Sequence, residues 1–84
     1  MTTGHPTRGL SRAAHRAAKA GRIAREAATD PRSRDELRAA AVAAWTKVTS
    51  PTSTRWDLTR FEKADDLYRA RCLADGVEYV STTG

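Results

Sequence analysis

Residues 33–76 read SRDELRAAAVAAWTKVTSPTSTRWDLTRFEKADDLYRARCLADG, and this stretch decides the fold because it carries two helix starts and a helix stop. Ser33 and Glu36 make the S-x-x-E pattern of a capping box, in which the hydroxyl satisfies a free amide and the glutamate reaches back to the cap. Asp35 and Glu36 then sit in the first turn, where the helix dipole favours anions. A competing start uses Asp30 as the cap with Pro31 at the first helical position. The Ser33 start is preferred because it places both acids well. Leu37, Ala41, Ala44 or Trp45, and Val48 follow at helical spacing, so this helix is expected to run to about Val48. Thr49 to Thr54, TSPTST, is a turn by composition, with Pro51 inside it. Thr54 and Asp57 repeat the capping pattern with a shorter acid, opening a helix expected from Arg55 to Ala74. Asp75-Gly76 ends it, since glycine can take the left-handed cap. Leu58, Phe61, Ala64, Tyr68 and Cys72 share one face of that helix, with Trp56 and Leu67 flanking it.

Upstream, residues 11–28 read SRAAHRAAKAGRIAREAA, a run of strong helix formers with Ser11 placed as cap and only Gly21 weakening the interior. Thr29-Asp30-Pro31 breaks it, because proline lacks an amide hydrogen and clashes with the preceding turn. Gly4, Pro6 and Gly9 mark residues 1–10 as a tail without apolar pattern, and residues 11–80 as a single helical domain. Val77 to Val80 is expected to pack back as a short extended arm and residues 81–84 to fray. The expected architecture is all-α: a hairpin of the second and third helices, with a basic N-terminal helix packed across it through the line Ala13, Ala17, Ala20, Ala24 and Ala27. Almost all large apolar residues lie from Leu37 onward, so the C-terminal half must build the core. A chain of 84 residues buries a modest core, which makes self-association or a partner a reasonable expectation.

Charge is distributed unevenly. Residues 1–34 hold eight cations against Glu26 and Asp30, whereas residues 35–84 hold seven cations against eight anions, so the net +5 arises from the N-terminal segment. A field concentrated at one end attracts polyanions or acidic protein surfaces. Arg8, Arg12, Arg16, Lys19, Arg22 and Arg25 recur every three or four residues, which sets a basic row along one side of the first helix. Guanidinium forks suit phosphate oxygens. Arginine outnumbers lysine 12 to 3 beside 16 alanines, a composition that fits a high-GC genome, bacterial or phage, and that tempers the arginine signal.

Catalytic apparatus is not visible. His5 and His15 have no carboxylate pattern around them for a metal, no serine or cysteine has a histidine on a matching face, and no glycine-rich phosphate loop occurs. No cofactor is expected. Cys72 stands alone and reads as a small core residue. No apolar run approaches the length of a signal peptide core or membrane span, so a cytoplasmic protein without membrane attachment is expected. A helix-turn-helix reading would use Thr54, Arg55, Thr59 and Lys63 as base readers, but the turn is long and Asp57, Glu62, Asp65 and Asp66 would oppose phosphates. Asp65 falls within the apolar face of the third helix and is expected to pair with Arg69 at its rim. The leading expectation is a small non-enzymatic regulatory protein that binds DNA or RNA through the basic first helix. The alternative is a protein–protein interaction module or homodimer anchored by Trp56, Leu67 and Leu73.

Overall fold

The computed structural model describes residues 4–83, with side chains from Arg12 onward. Three helices follow one another: α1 (Gly4–Thr29), α2 (Arg34–Val48) and α3 (Arg55–Asp75). The Ser33 cap forms in full, and at Thr54 the returning bond from Asp57 forms. Glu36 N–H donates to Ser33 Oγ at 3.1 Å while Ser33 N–H donates to Glu36 Oε1 at 2.9 Å, so the Ser33 start holds. The Thr54 amide donates to Asp57 Oδ2 at 2.9 Å, and Gly76 closes α3 with φ of 68°. Asp30, the competing cap, instead accepts from the Arg32 amide at 2.9 Å and forms a turn between α1 and α2.

Helix α1 begins at Gly4, earlier than the Ser11 start the sequence pattern suggests. Pro6 is compatible with this, since in a first turn its missing amide hydrogen has no intrahelical partner to lose. Residues 1–3 of the expected tail lie outside the described residues.

Helix α3 is the centre of the molecule. α2 packs along it, α1 packs on it, and the backbones of α1 and α2 do not approach each other closely among the described residues. The core is small: Ala27, Leu37, Leu67, Tyr68 and Cys72 are buried together, with Ile23, Ala70 and Tyr79 packed against them. Farther along the α2–α3 hairpin, Trp45 and Phe61 meet as tilted rings 5.0 Å apart. Because α3 is covered from two directions, its buried face is broader than a single stripe, and Leu67 enters the core. Leu58, expected on that face, and Trp56, expected beside it, remain exposed near the start of α3.

Of the alanine line of α1, only its last residue carries the docking. Ala13, Ala17, Ala20 and Ala24 are exposed, and contact is made by Ala27, fully buried, and Ile23, one turn earlier. Arg71 of α3 secures this joint. Its Nη1 donates to the carbonyls of Ala27 at 3.0 Å and of Asp30 and Arg32 at 3.4 Å, satisfying acceptors that a helix C-terminus leaves open. Asp75 accepts from both Arg71 Nε at 3.3 Å and Arg34 Nη1 at 2.9 Å, tying the start of α2 to the end of α3.

The C-terminal segment is irregular and anchored, with no strand among the described residues. The end expected to fray is held as far as Thr82. Thr82 is buried and donates to Asp65 Oδ1 at 2.7 Å, and the Ser81 carbonyl accepts from Arg38 Nη2 at 2.8 Å. Upstream, Val80 N–H donates to Tyr68 Oη at 3.2 Å and Tyr79 donates to Asp65 Oδ1 at 2.6 Å. Gly84 lies outside the described residues.

Candidate nucleic-acid interface

At about 1.5 Å per residue, α1 is roughly 39 Å long. Its anchorage to the fold occupies only the last two turns, from Ile23 and Ala27. Every described side chain from Arg12 to Ala20 is exposed. The radius of gyration, 15.9 Å, exceeds the about 12 Å of a compact chain of this length, and the longest dimension is 50 Å. A rod standing out from the α2–α3 hairpin accounts for both.

Arg12, Arg16, Lys19, Arg22 and Arg25 are all exposed, and none forms an ion pair among the described residues. The ion pairs among the described residues use other cations: Arg32 with Asp30, Arg34 and Arg71 with Asp75, Arg60 with Asp57, and Arg69 with Asp65. The described cations of α1 are thus not paired with the acids of the C-terminal half. Nothing is described of the Arg8 side chain.

The row is not straight, which corrects the single-face expectation. A step of three residues turns back by about 60°, so the sequence Arg16, Lys19, Arg22, Arg25 winds through about 180° of the helix surface. Arg12, Arg16 and Lys19 lie on the side that carries Ile23 and Ala27, facing α3, whereas Arg22 and Arg25 turn to the outer side. Spacing alone made the row legible; its phase relative to the packed face depends on Ile23, which belongs to the anchor and not to the row.

On the inner side, α1, α3 and the C-terminal arm enclose an open groove of about 680 Å³. Ile23, Leu73, Val77 and Tyr79 supply its apolar surface, and Arg16, Lys19, Arg69 and Asp66 stand around it. Sequence reasoning singled out Leu73 here but not its neighbours. Val77 and Tyr79 lie in an arm whose course follows from the Asp65 contacts. Of the three anchors of the protein-binding alternative, Leu73 (84% exposed) and Trp56 (68% exposed) are on the surface, while Leu67, at 6%, belongs to the core and is inaccessible to a partner.

Asp65 is structural in its contacts. Its carboxyl is surrounded by Tyr79, Thr82 and Arg69, and the Arg69 guanidinium lies 4.1 Å from the centre of the Tyr79 ring. Burial works to raise its pKa, and the hydrogen bonds from Tyr79, Thr82 and Arg69 outweigh that, leaving it below the ordinary aspartate value. Cys72 is free and buried in the core. Among the described residues no cluster of three histidines, cysteines or carboxylates is arranged to hold a metal ion, and no helix is long and apolar enough to cross a membrane. No protein-family model, curated protein or solved structure matches the chain.

Proposed function

We propose that the protein is a small non-enzymatic nucleic-acid-associated regulator that binds phosphate backbones through α1, with Arg12, Arg16, Lys19, Arg22 and Arg25 as principal contacts and Arg8 extending the row. The observation that carries this reading is the projecting helix whose described cations are exposed and unpaired while the chain's ion pairs are made elsewhere. A row of cations about 20 Å long, wound around a rod, suits a polyanion that flanks the rod on two sides. A duplex groove has that geometry: the B-form major groove is about 12 Å wide, close to the diameter of a helix with its side chains.

Five neutralised phosphates give a log–log salt slope of about −4 to −5, or a loss of roughly a few hundred-fold in affinity between about 50 and 200 mM salt. Fluorescence anisotropy with labelled duplex and single-stranded oligonucleotides measures this directly. The double variant Arg16→Glu/Arg22→Glu is expected to reduce both the affinity and the slope while leaving the melting temperature unchanged, since neither side chain makes an ion pair within the described residues. Absence of binding to both oligonucleotides at low salt would refute the reading.

A further inference from the structure

We infer that the groove between α1, the C-terminal part of α3 and the arm docks an acidic amphipathic helix from a protein partner. The groove shares Arg16 and Lys19 with the backbone-binding row and adds an apolar floor that the row lacks. Leu73, at 84% exposed, and Val77, at 38%, stand beside the half-buried Ile23, so several large apolar groups meet water in one concavity. Covering such groups is favourable by about 25 cal/mol per Å² of apolar surface removed from water.

The rim defines the charge of the occupant. Arg16 and Lys19 are cations without an ion pair among the described residues on one wall, Arg69 on the opposite wall is already paired with Asp65, and Asp66 is the one acid among the lining residues. An occupant must therefore present apolar side chains to the floor and carboxylates to the walls. A helix with leucines at i, i+4 and i+7 and glutamates beside them meets both requirements, and the volume of about 680 Å³ admits a few such anchors.

Other occupants fit less well. A phosphate backbone has the charge but no aliphatic groups for the floor. Bases would need a free aromatic face, yet Tyr79, the aromatic residue of the groove, has Arg69 over its ring at 4.1 Å and Tyr68 beside it at 5.3 Å. A second copy inserting its own α1 would bring like charge to a cationic rim.

The test uses the full chain and a synthetic, fluorescein-labelled helical peptide with leucines at i, i+4 and i+7 flanked by glutamates. Saturable binding is expected, weakened about tenfold or more by Leu73→Ser, by Lys19→Glu, or by exchanging the peptide glutamates for lysines. Leu73 is too exposed for Leu73→Ser to unfold the chain, and a thermal melt verifies this. Leu73→Ser is expected to leave oligonucleotide affinity unchanged, so failure of this inference and failure of the nucleic-acid reading are separately visible. The inference is overturned by absence of peptide binding, by equal binding of the lysine peptide, or by indifference to Leu73→Ser. Self-association in light scattering that Leu73→Ser abolishes assigns the groove to a second copy and overturns it as well. Saturable binding of a medium-chain fatty acid without binding of the peptide assigns it to a small amphiphile, with the same consequence.

Discussion

Tyr79 donates a 2.6 Å hydrogen bond to Asp65 Oδ1, the same oxygen that receives the Thr82 hydroxyl at 2.7 Å, and these two bonds fasten the C-terminal arm to α3. The other carboxylate oxygen takes Arg69 at 3.2 Å. Removing the acceptor leaves Tyr79 and Thr82 without their partner in a partly buried site. Asp65→Ala is therefore expected to cost about 1–3 kcal/mol. In a domain of this size each kcal/mol lowers Tm by roughly 4–8 °C. Tyr79→Phe retains the ring contact with Tyr68 and leaves Thr82 and Arg69 on the carboxylate, so its cost should be about 1 kcal/mol. Thermal melts followed by circular dichroism provide the comparison, and a Tm for Asp65→Ala equal to that of the parent chain would show that the arm contributes no stability.

The same carboxylate makes stability depend on pH in a definite direction. Asp65 titrates below the ordinary aspartate value in the folded chain, against its burial and because of Tyr79, Thr82 and Arg69. Asp30 is lowered to about 2 by the Arg32 side chain and amide, and Glu36 is lowered by the Ser33 amide and hydroxyl. A group whose folded pKa lies below its unfolded value stabilises fully above the unfolded value and loses that contribution as pH falls through the folded one. Stability should accordingly be level near neutral pH and decline from about pH 4 downward. The urea midpoint measured across this range tests it. Asp65→Asn should be less stable at neutral pH and show a shallower acid decline, and an acid limb identical to the parent's would remove Asp65 from the account.

The starts of α2 and α3 were legible, unlike that of α1, because they rest on contacts three residues apart. Ser33 with Glu36 and Thr54 with Asp57 each form within a single turn, and Gly76 needs only its own φ. The arm was not legible, since its bonds join Asp65 to residues 14 and 17 positions later. One signal did exist. A carboxylate on an apolar helix face requires donors, and the arm that follows contains Tyr79 and Thr82.

The basic row of α1 was legible as spacing but not as orientation. Which side of α1 meets α3 is set by Ile23 and Ala27, and a small alanine surface elsewhere on the helix competes with that choice in sequence without contributing to it in the fold. The burial of Leu67 and exposure of Trp56 have a common origin. α1 lands near the C-terminal part of α3, covering that region and leaving its first turn open.

Arg71 ties α3 to the end of α1 and to the turn that leads into α2, so its loss should loosen α1 selectively. Its strongest bond to α1, 3.0 Å to the Ala27 carbonyl, is a charge-assisted contact worth about 1.5–3 kcal/mol. Arg71→Met keeps most of the aliphatic stem and removes the donors. The expected result is a stability loss in that range, accompanied by faster hydrogen exchange at the C-terminal end of α1 than in the Trp45–Phe61 region of the hairpin. Uniform acceleration throughout the chain would instead mean that α1 and the hairpin unfold as one unit.

Two glycines should respond to alanine with opposite signs. Gly76 has φ of 68° and no neighbouring atom within 4 Å of the place an alanine methyl would occupy, so Gly76→Ala meets no clash and incurs only the left-handed backbone penalty of about 1–2 kcal/mol. Gly21 lies inside α1 with Arg25 Nη1, the end of a flexible side chain, as its nearest neighbour at 3.7 Å. There alanine removes unfolded-state entropy and improves helix propensity, a gain of about 0.5–1 kcal/mol. Gly21→Ala should raise Tm and helical ellipticity while leaving the salt slope of oligonucleotide binding unaltered, because it adds no charge. Gly76→Ala should lower Tm without affecting α1. A fall in Tm for Gly21→Ala would mean that the surface of α1 around Gly21 is packed against something, contrary to its open position on the rod.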